Sequence, residues 1–231
     1  MERIIPIEIL KDLVYTRGMV LRSDQRITLD QALPALMEIG RYMVPGFTID
    51  PNNEFAYMNV LRWCINDPAM ECYNFNGDTR IQADPQKGLY IYGNVGTGKS
   101  VLLDVFRVLC LFYKFGAKYG DRVDKLAWKT YRSDTICDMY MEDGDLKEWK
   151  DIPCLGIQDL GSEPAELLYM GNRRRVLRSI IEARGDVFDR LTIISSNIPP
   201  SALGEVYGPR VQSRIAQMCN VYRLGGPDRR K

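Results

Sequence analysis

At 231 residues the chain has room for one domain and a fraction, enough for a real core plus an accessory segment and too little for two full domains. With 45% hydrophobic and 26% charged residues it has the composition of a globular protein, which excludes wholesale disorder, and its net charge of +1 gives no general affinity for polyanions. It has no histidine, which excludes a Ser-His-Asp triad, a Cys-His dyad, a haem ligated by histidine and any histidine-containing zinc site.

Residues 1–50 read as mostly helical and loosely tied to the rest. Thr28 and Gln31 have capping-box spacing, and the run LDQALPALMEIGRYMV behind them is apolar at helical intervals. Asn52 or Asn53 caps a second helix, EFAYMNVLRWC, and the polar stretch 74–88, with its glycines and proline, reads as a loop. From Gly88 onward strands and helices alternate. Residues 88–92 (GLYIY) form a compact strand, a glycine-rich loop follows, and SVLLDVFRVLCLFYKF is a helix apolar on most of its circumference. Residues 126–132 alternate like a strand, Ser133 or Asp134 caps a helix through Met141, and 152–158 is a third strand. A basic helix over 173–184 and a fourth strand, LTIISS at 191–196, complete a pattern that predicts a parallel sheet covered on both faces.

The six cysteines form no C-x-x-C pair and stand 8 to 65 residues apart, unlike a zinc ribbon or a disulfide framework. They read as reduced, buried thiols of a cytoplasmic protein. The first residues, MERIIPIEILKDLV, mix acids with apolar residues, and neither a signal peptide nor a membrane span is expected. Charge is unevenly placed. Residues 171–231 carry 12 basic and 5 acidic side chains, net +7, which leaves 19 and 25, net −6, to residues 1–170. A basic quarter on an acidic body makes a directional electrostatic face.

Gly93-Asn94-Val95-Gly96-Thr97-Gly98-Lys99-Ser100 fits G-x-x-x-x-G-K-[ST] directly after a strand and at the opening of a helix. Glycines let successive backbone N–H groups turn toward phosphate oxygens without a clashing Cβ, and the helix N-terminus adds free donors and partial positive charge. Lys99 then reaches the β- and γ-phosphates, and the Ser100 hydroxyl ligates Mg²⁺. Such a site needs an acid at the end of another buried strand, and CLGIQDLG supplies Asp159 after Gln158. Asn197, closing the fourth strand, holds an attacking water or the γ-phosphate, or else makes an Asx turn before Pro199. Arg210 and Arg214 share a helix face at i and i+4, either as a solvated face or as a phosphate-binding patch. The stretch GGPDRRK at the end of the sequence is read as a frayed terminus or as a basic contact.

Together, GLYIYGNVGTGKS, GIQDLGSEP, TIISSN and YGPRVQSR in this order resemble the DnaC/IstB-type ATPases of the AAA+ superfamily, which are helicase loaders and ATPase partners of transposases. The resemblance covers roughly residues 53–230. It implies an α/β P-loop NTPase of Rossmann-like build, with a parallel sheet of order 5-1-4-3-2 flanked by helices and little or no C-terminal lid. The expected division is a helical partner-binding segment, 1–50, and an ATPase domain, 51–231. It also implies ATP and Mg²⁺ bound between subunits of an oligomer. On that template Gly93–Ser100 is Walker A and Gln158-Asp159 is Walker B, with Ser100 and Asp159 on the metal. Asn197 looks like sensor 1, Arg214 like the arginine finger with Arg210 beside it, and Arg229 like a second sensor.

The family commonly carries two acids at Walker B, where this sequence has Gln158 and Asp159. Glutamine lacks the charge that helps to hold hydrated Mg²⁺, so slow hydrolysis, or ATP used as assembly glue, is expected. Glu163 is a substitute base or a loop acid. The expected function is a replicative helicase loader or remodeller that touches single-stranded DNA through Arg173, Arg174, Arg175 and Arg178. The alternatives are a transposition ATPase, a weakly hydrolysing nucleotide-dependent scaffold and, more distantly, a small-molecule P-loop kinase.

Overall fold

Apolar runs bounded by turn residues become the strands of a central sheet. In the computed structural model, residues 20–22 and 27–230 are described; the helical reading of residues 1–19 lies outside them. A short strand β1 (Val20–Arg22) precedes helices α1 (Leu29–Met43) and α2 (Glu54–Ile65), and a hairpin β2 (Glu71–Tyr73) and β3 (Arg80–Gln82) leads into β4 (Gly88–Tyr92) and α3 (Lys99–Tyr113). A second hairpin, β5 (Gly116–Tyr119) and β6 (Arg122–Lys125), is followed by β7 (Lys129–Arg132), α4 (Ser133–Asp143), α5 (Lys147–Asp151) and β8 (Cys154–Leu160). A third hairpin, β9 (Leu167–Tyr169) and β10 (Asn172–Arg174), then gives way to α6 (Val176–Gly185), β11 (Leu191–Ser196), α7 (Leu203–Tyr207), α8 (Pro209–Met218) and β12 (Cys219–Arg223).

The main sheet has the order β3-β2-β12-β4-β11-β8-β7. Its pairings from β12 across to β7 are all parallel. Counted along the chain, these five parallel strands stand in the order 5-1-4-3-2, as the resemblance implies. The hairpin β2–β3 extends the β12 edge antiparallel, and its turn and second strand fall within the stretch read as a loop. Alternation along the strands divides the core into two layers. Leu89, Ile91, Ile193 and Tyr222 pack with α1, α2 and α3, whereas Tyr90, Ile194 and Val221 pack with α4, α6 and α8.

Several local expectations are corrected. Residues 27–50 are not loosely tied: Ala32, Leu36 and Phe47 belong to the same buried cluster as the sheet. β1 pairs antiparallel with β5, so the N-terminal segment also contains strand. The strand expected at 126–132 begins only at Lys129, because Leu126 turns aside to donate its N–H to the Phe115 carbonyl at 2.7 Å. The helix expected at 173–184 begins at Val176. Arg173 and Arg174 are drawn into β10, where they pair with Leu168 and Leu167, and Arg175 is the residue before the helix. No helix follows β12 among the described residues.

Candidate nucleotide-binding site

The phosphate loop connects β4 to α3 at the carboxyl end of the sheet, where ligands of parallel α/β folds collect. Gly96 and Gly98 adopt φ of +81° and +93°, backbone that side chains rarely tolerate, and this turns the loop around its own N–H groups. Lys99 opens α3 and is almost fully buried. Its Nζ donates to the carbonyls of Gly93 (2.9 Å) and Asn94 (2.8 Å) and to Asn197 Oδ1 (2.6 Å). Burial lowers its pKa from the ordinary lysine value, nearby Asp159 opposes that shift, and Arg230 adds to it.

Asp159 reaches the same place by a different device. The pairing of β8 with β11 slips between Ile194 and Ser196, and Asp159 at this irregularity takes φ +55°. Three serines hold it there. Its N–H donates to Ser195 Oγ (3.2 Å), its carbonyl accepts from Ser133 Oγ (2.8 Å), and the next carbonyl, Leu160, accepts from Ser196 Oγ (2.6 Å). A bulge re-aims a side chain. Asp159 lines a cavity beside the glycine-rich loop, while Gln158, its neighbour in the strand, lines a separate shallow cleft with Asp104, Arg107 and Lys129.

The cavity has a volume of about 720 Å³. Val95, Gly96, Gly98, Lys99, Ser100, Asp159, Asn197 and Arg229 line it, so the structure brings together the phosphate loop, the acid and the polar strand end. Gly93 and Asn94 stand behind the lysine as its acceptors, and Thr97 is buried with its hydroxyl on the Asn94 carbonyl at 2.9 Å.

Residues that sequence reasoning missed complete the walls. The segment 44–48, Asn53 and Tyr57 form one side, and Arg132, Ser162 and Arg230 form another. Arg132 ends β7 and contacts both Asp134 (3.0 Å) and Asp159 (3.2 Å). Its place at the carboxyl end of a parallel strand was a usable signal.

The other expected site residues lie elsewhere. Glu163 accepts from the Gly161 N–H and from the Tyr207 hydroxyl, and it lines a different cavity from Asp159. Arg214 lies outside the chain's own cavity. Its stem packs on Gly185, and its guanidinium is held by Asp186 and by Gln217 Oε1 (3.0 Å). Arg210 pairs with Asp186 (3.4 Å) and Glu182 (3.8 Å). Arg173 (3.5 Å) and Arg175 (2.6 Å) share Glu166, and Arg178 pairs with Glu182 at 2.9 Å. Among the described residues Arg174 has no acid within ion-pair distance.

No protein-family model matches the sequence, and no curated protein matches it. Solved structures do. Domain III of the replication initiation protein DnaA from Thermotoga maritima is similar at 23% identity and a TM-score of 0.51, over 79% of this chain and 66% of that one. The DnaC helicase loader is similar at 21% identity and a TM-score of 0.51, over 78% of this chain and 93% of that one. This chain thus spans just under two thirds of the DnaA structure. At such identities the likeness concerns the fold alone: the chain has the α/β fold that these two structures share.

Proposed function

We propose that the chain is an ATP-binding AAA+ ATPase of DNA replication that loads or remodels a replicative helicase, with nucleotide bound between its subunits. The observation that carries this reading is the convergence of Lys99, Ser100, Asp159 and Asn197 on one cavity beside the phosphate loop. Gly93–Ser100 cradles the phosphates of ATP and Lys99 meets their charge. A hydroxyl and a carboxylate are the hard oxygen donors that Mg²⁺ takes, so Ser100 and Asp159 are the residues that would hold it. Bound there, the ion neutralises charge on the phosphates. Asp159, the one acid among the described residues lining the cavity, polarises the attacking water. Asn197, tied to Lys99, orients that water.

Arg214, with Arg210 beside it, is offered to the γ-phosphate of a neighbouring subunit, which requires it to leave Asp186. Arg173, Arg174, Arg175 and Arg178 face single-stranded DNA. Residues 1–50 form the partner-binding segment and 51–231 the ATPase domain of a cytoplasmic protein. Among the described residues no helix is long and apolar enough to cross a membrane.

A second reading, a weakly hydrolysing scaffold that uses ATP to assemble, is favoured by the position of Gln158, which leaves Asp159 without a second carboxylate in the cavity. A transposition ATPase would use the same site on another partner. Turnover measured with and without single-stranded DNA separates enzyme from scaffold. The site itself is tested by Lys99→Ala, which is expected to lose ATP binding in calorimetry with the circular dichroism of wild type, although its melting should fall because the Gly93 and Asn94 carbonyls and Asn197 lose their donor. Wild-type affinity in that variant would remove the phosphate loop from the site.

A further inference from the structure

The residues after β12 turn back over the phosphate loop instead of running free. Leu224 donates its N–H to the Tyr92 carbonyl (2.7 Å), Gly225 to Asn52 (3.3 Å) and Arg229 to Gly96 (2.9 Å). The Asp228 carboxylate packs against Gly96. This tail meets a turn at the other wall of the cavity. There the Asp50 N–H donates to Asn53 Oδ1 (2.7 Å), and buried Asn53 donates from Nδ2 to the Thr48 carbonyl (3.2 Å). The Asp50 carboxylate accepts from the Asn52 N–H (2.8 Å) and from Arg229 Nη2 (2.6 Å). Asp50 and Arg229 are both half-buried, and their contact is a charge-assisted hydrogen bond that ties the tail to the turn.

The pair commits the charge of Arg229. Arg230, one residue further, also lines the cavity, and among the described residues no carboxylate lies within ion-pair distance of it. Arg132 is already met by Asp134 and Asp159, so among the described residues Lys99 and Arg230 are the cavity's cations without a carboxylate within ion-pair distance, and Arg230 stands near enough to push the Lys99 pKa down further. Like charges held this close repel unless an anion enters, and a polyphosphate is the anion that the loop is shaped for.

We infer that the Asp50–Arg229 pair locks residues 224–230 over the phosphate loop so that Arg230 serves as a ligand of the nucleotide's phosphates, and that bound nucleotide fastens this tail to the segment 44–53. The inference rests on the nucleotide-binding reading above and adds a residue and a coupling to it. It also redistributes the roles of the tail: Arg229 anchors and Arg230 binds. Through residues 44–48, nucleotide occupancy would then be felt at the end of α1.

The test is calorimetric titration of the full chain with ATP and, separately, with adenosine, which has no phosphates. Arg230→Ala should weaken ATP by about tenfold or more, the range of a lost charge-assisted hydrogen bond, and should leave adenosine unaffected. Arg230→Lys should recover part of the loss. Asp50→Asn and Arg229→Ala should each weaken ATP, and the double variant should bind no worse than the weaker single one, since both remove the same lock. Wild-type ATP affinity in Arg230→Ala would overturn the inference, as would an equal loss of ATP and adenosine or additive losses at Asp50 and Arg229. If the wild-type chain itself fails to bind ATP, the nucleotide reading falls and the inference with it. If it binds ATP through Lys99 but ignores Arg230, only the inference falls.

Discussion

Asp159 owes its position to a backbone conformation that aspartate tolerates better than most residues. The sequence shows an acid at the end of an apolar strand; it does not show that a slip against β11 separates Asp159 from Gln158 and sends them to different cavities. This bears on the missing second acid. An aspartate at 158 would enter the cleft beside Asp104, Arg107 and Lys129, so Gln158→Asp is expected to leave Mg²⁺-dependent turnover unchanged. A clear rise in rate with the fold preserved would mean that side chain 158 reaches the metal. The phosphate loop was fully legible because its spacing is local. Arg132 was legible only as the end of an expected strand, and Asp50 and Arg230 were not legible, because a turn before α2 and the returning tail bring them to the loop from distant parts of the chain. Arg184 was hidden for the same reason. It reads as one more cation of a basic helix, yet it is almost fully buried and donates to the carbonyls of Trp149 (3.0 Å), Ile152 (2.8 Å) and Leu191 (2.6 Å) and to Thr192 Oγ1 (2.9 Å). Burial pulls its pKa down to about 10, so it stays charged at neutral pH. Arg184→Met would strand those acceptors and is expected to cost about 3–5 kcal/mol in chemical denaturation. A loss no larger than that of a surface substitution would refute the bracing role.

The elements of the sequence reading survive where each carries its own hydrophobic signal. The first four residues of β4 and of β8 are apolar or glycine and buried, β11 is buried throughout with an apolar centre, and α3 is an apolar helix, so local pattern alone identifies them. The missed elements are the five-residue helices α5 and α7, the five-residue strand β12, and the three- and four-residue strands β1, β2, β3, β5, β6, β9 and β10, which depend on a partner strand for their existence. The hairpin β9–β10 is the case with functional weight. It turns through Met170 and Gly171, both at positive φ (47° and 78°) as a two-residue primed turn requires, but methionine is not a residue that announces one. Leu168 and Met170 are left exposed on it, and Arg173 is 83% exposed. Of the four arginines expected on a helix face, Arg173 and Arg174 are thus carried by this hairpin, Arg175 precedes α6 and Arg178 lies in it, with Glu166 partly neutralising Arg173 and Arg175. Replacing Arg173, Arg174 and Arg175 with Ala should weaken single-stranded DNA binding and lower the slope of log affinity against log salt by roughly 0.7 for each phosphate that is no longer neutralised. Unchanged affinity and slope in fluorescence anisotropy would leave those arginines to Glu166 and solvent.

For the whole molecule, the decisive claim is that the active site is shared between subunits. Within one chain, Arg214 is separated from the nucleotide cavity and restrained by Asp186, which suits a residue that acts outward as well as one that merely braces α6 against α8. A guanidinium supplied in trans stabilises charge that develops on the γ-phosphate only in the transition state, which is worth about 10³–10⁵ in rate. Arg214→Ala should therefore bind ATP nearly as wild type does and hydrolyse it poorly. Lys99→Ala subunits keep the arginine and lack a working loop, whereas Arg214→Ala subunits keep the loop and lack the arginine. Mixing the two inactive proteins should restore part of the turnover, at interfaces that join an intact loop to an intact arginine. The recovery should rise with protein concentration, because it requires assembly. If the mixture stays inactive at concentrations where wild type assembles and turns over, Arg214 acts within its own chain or only supports the packing of α8 on α6.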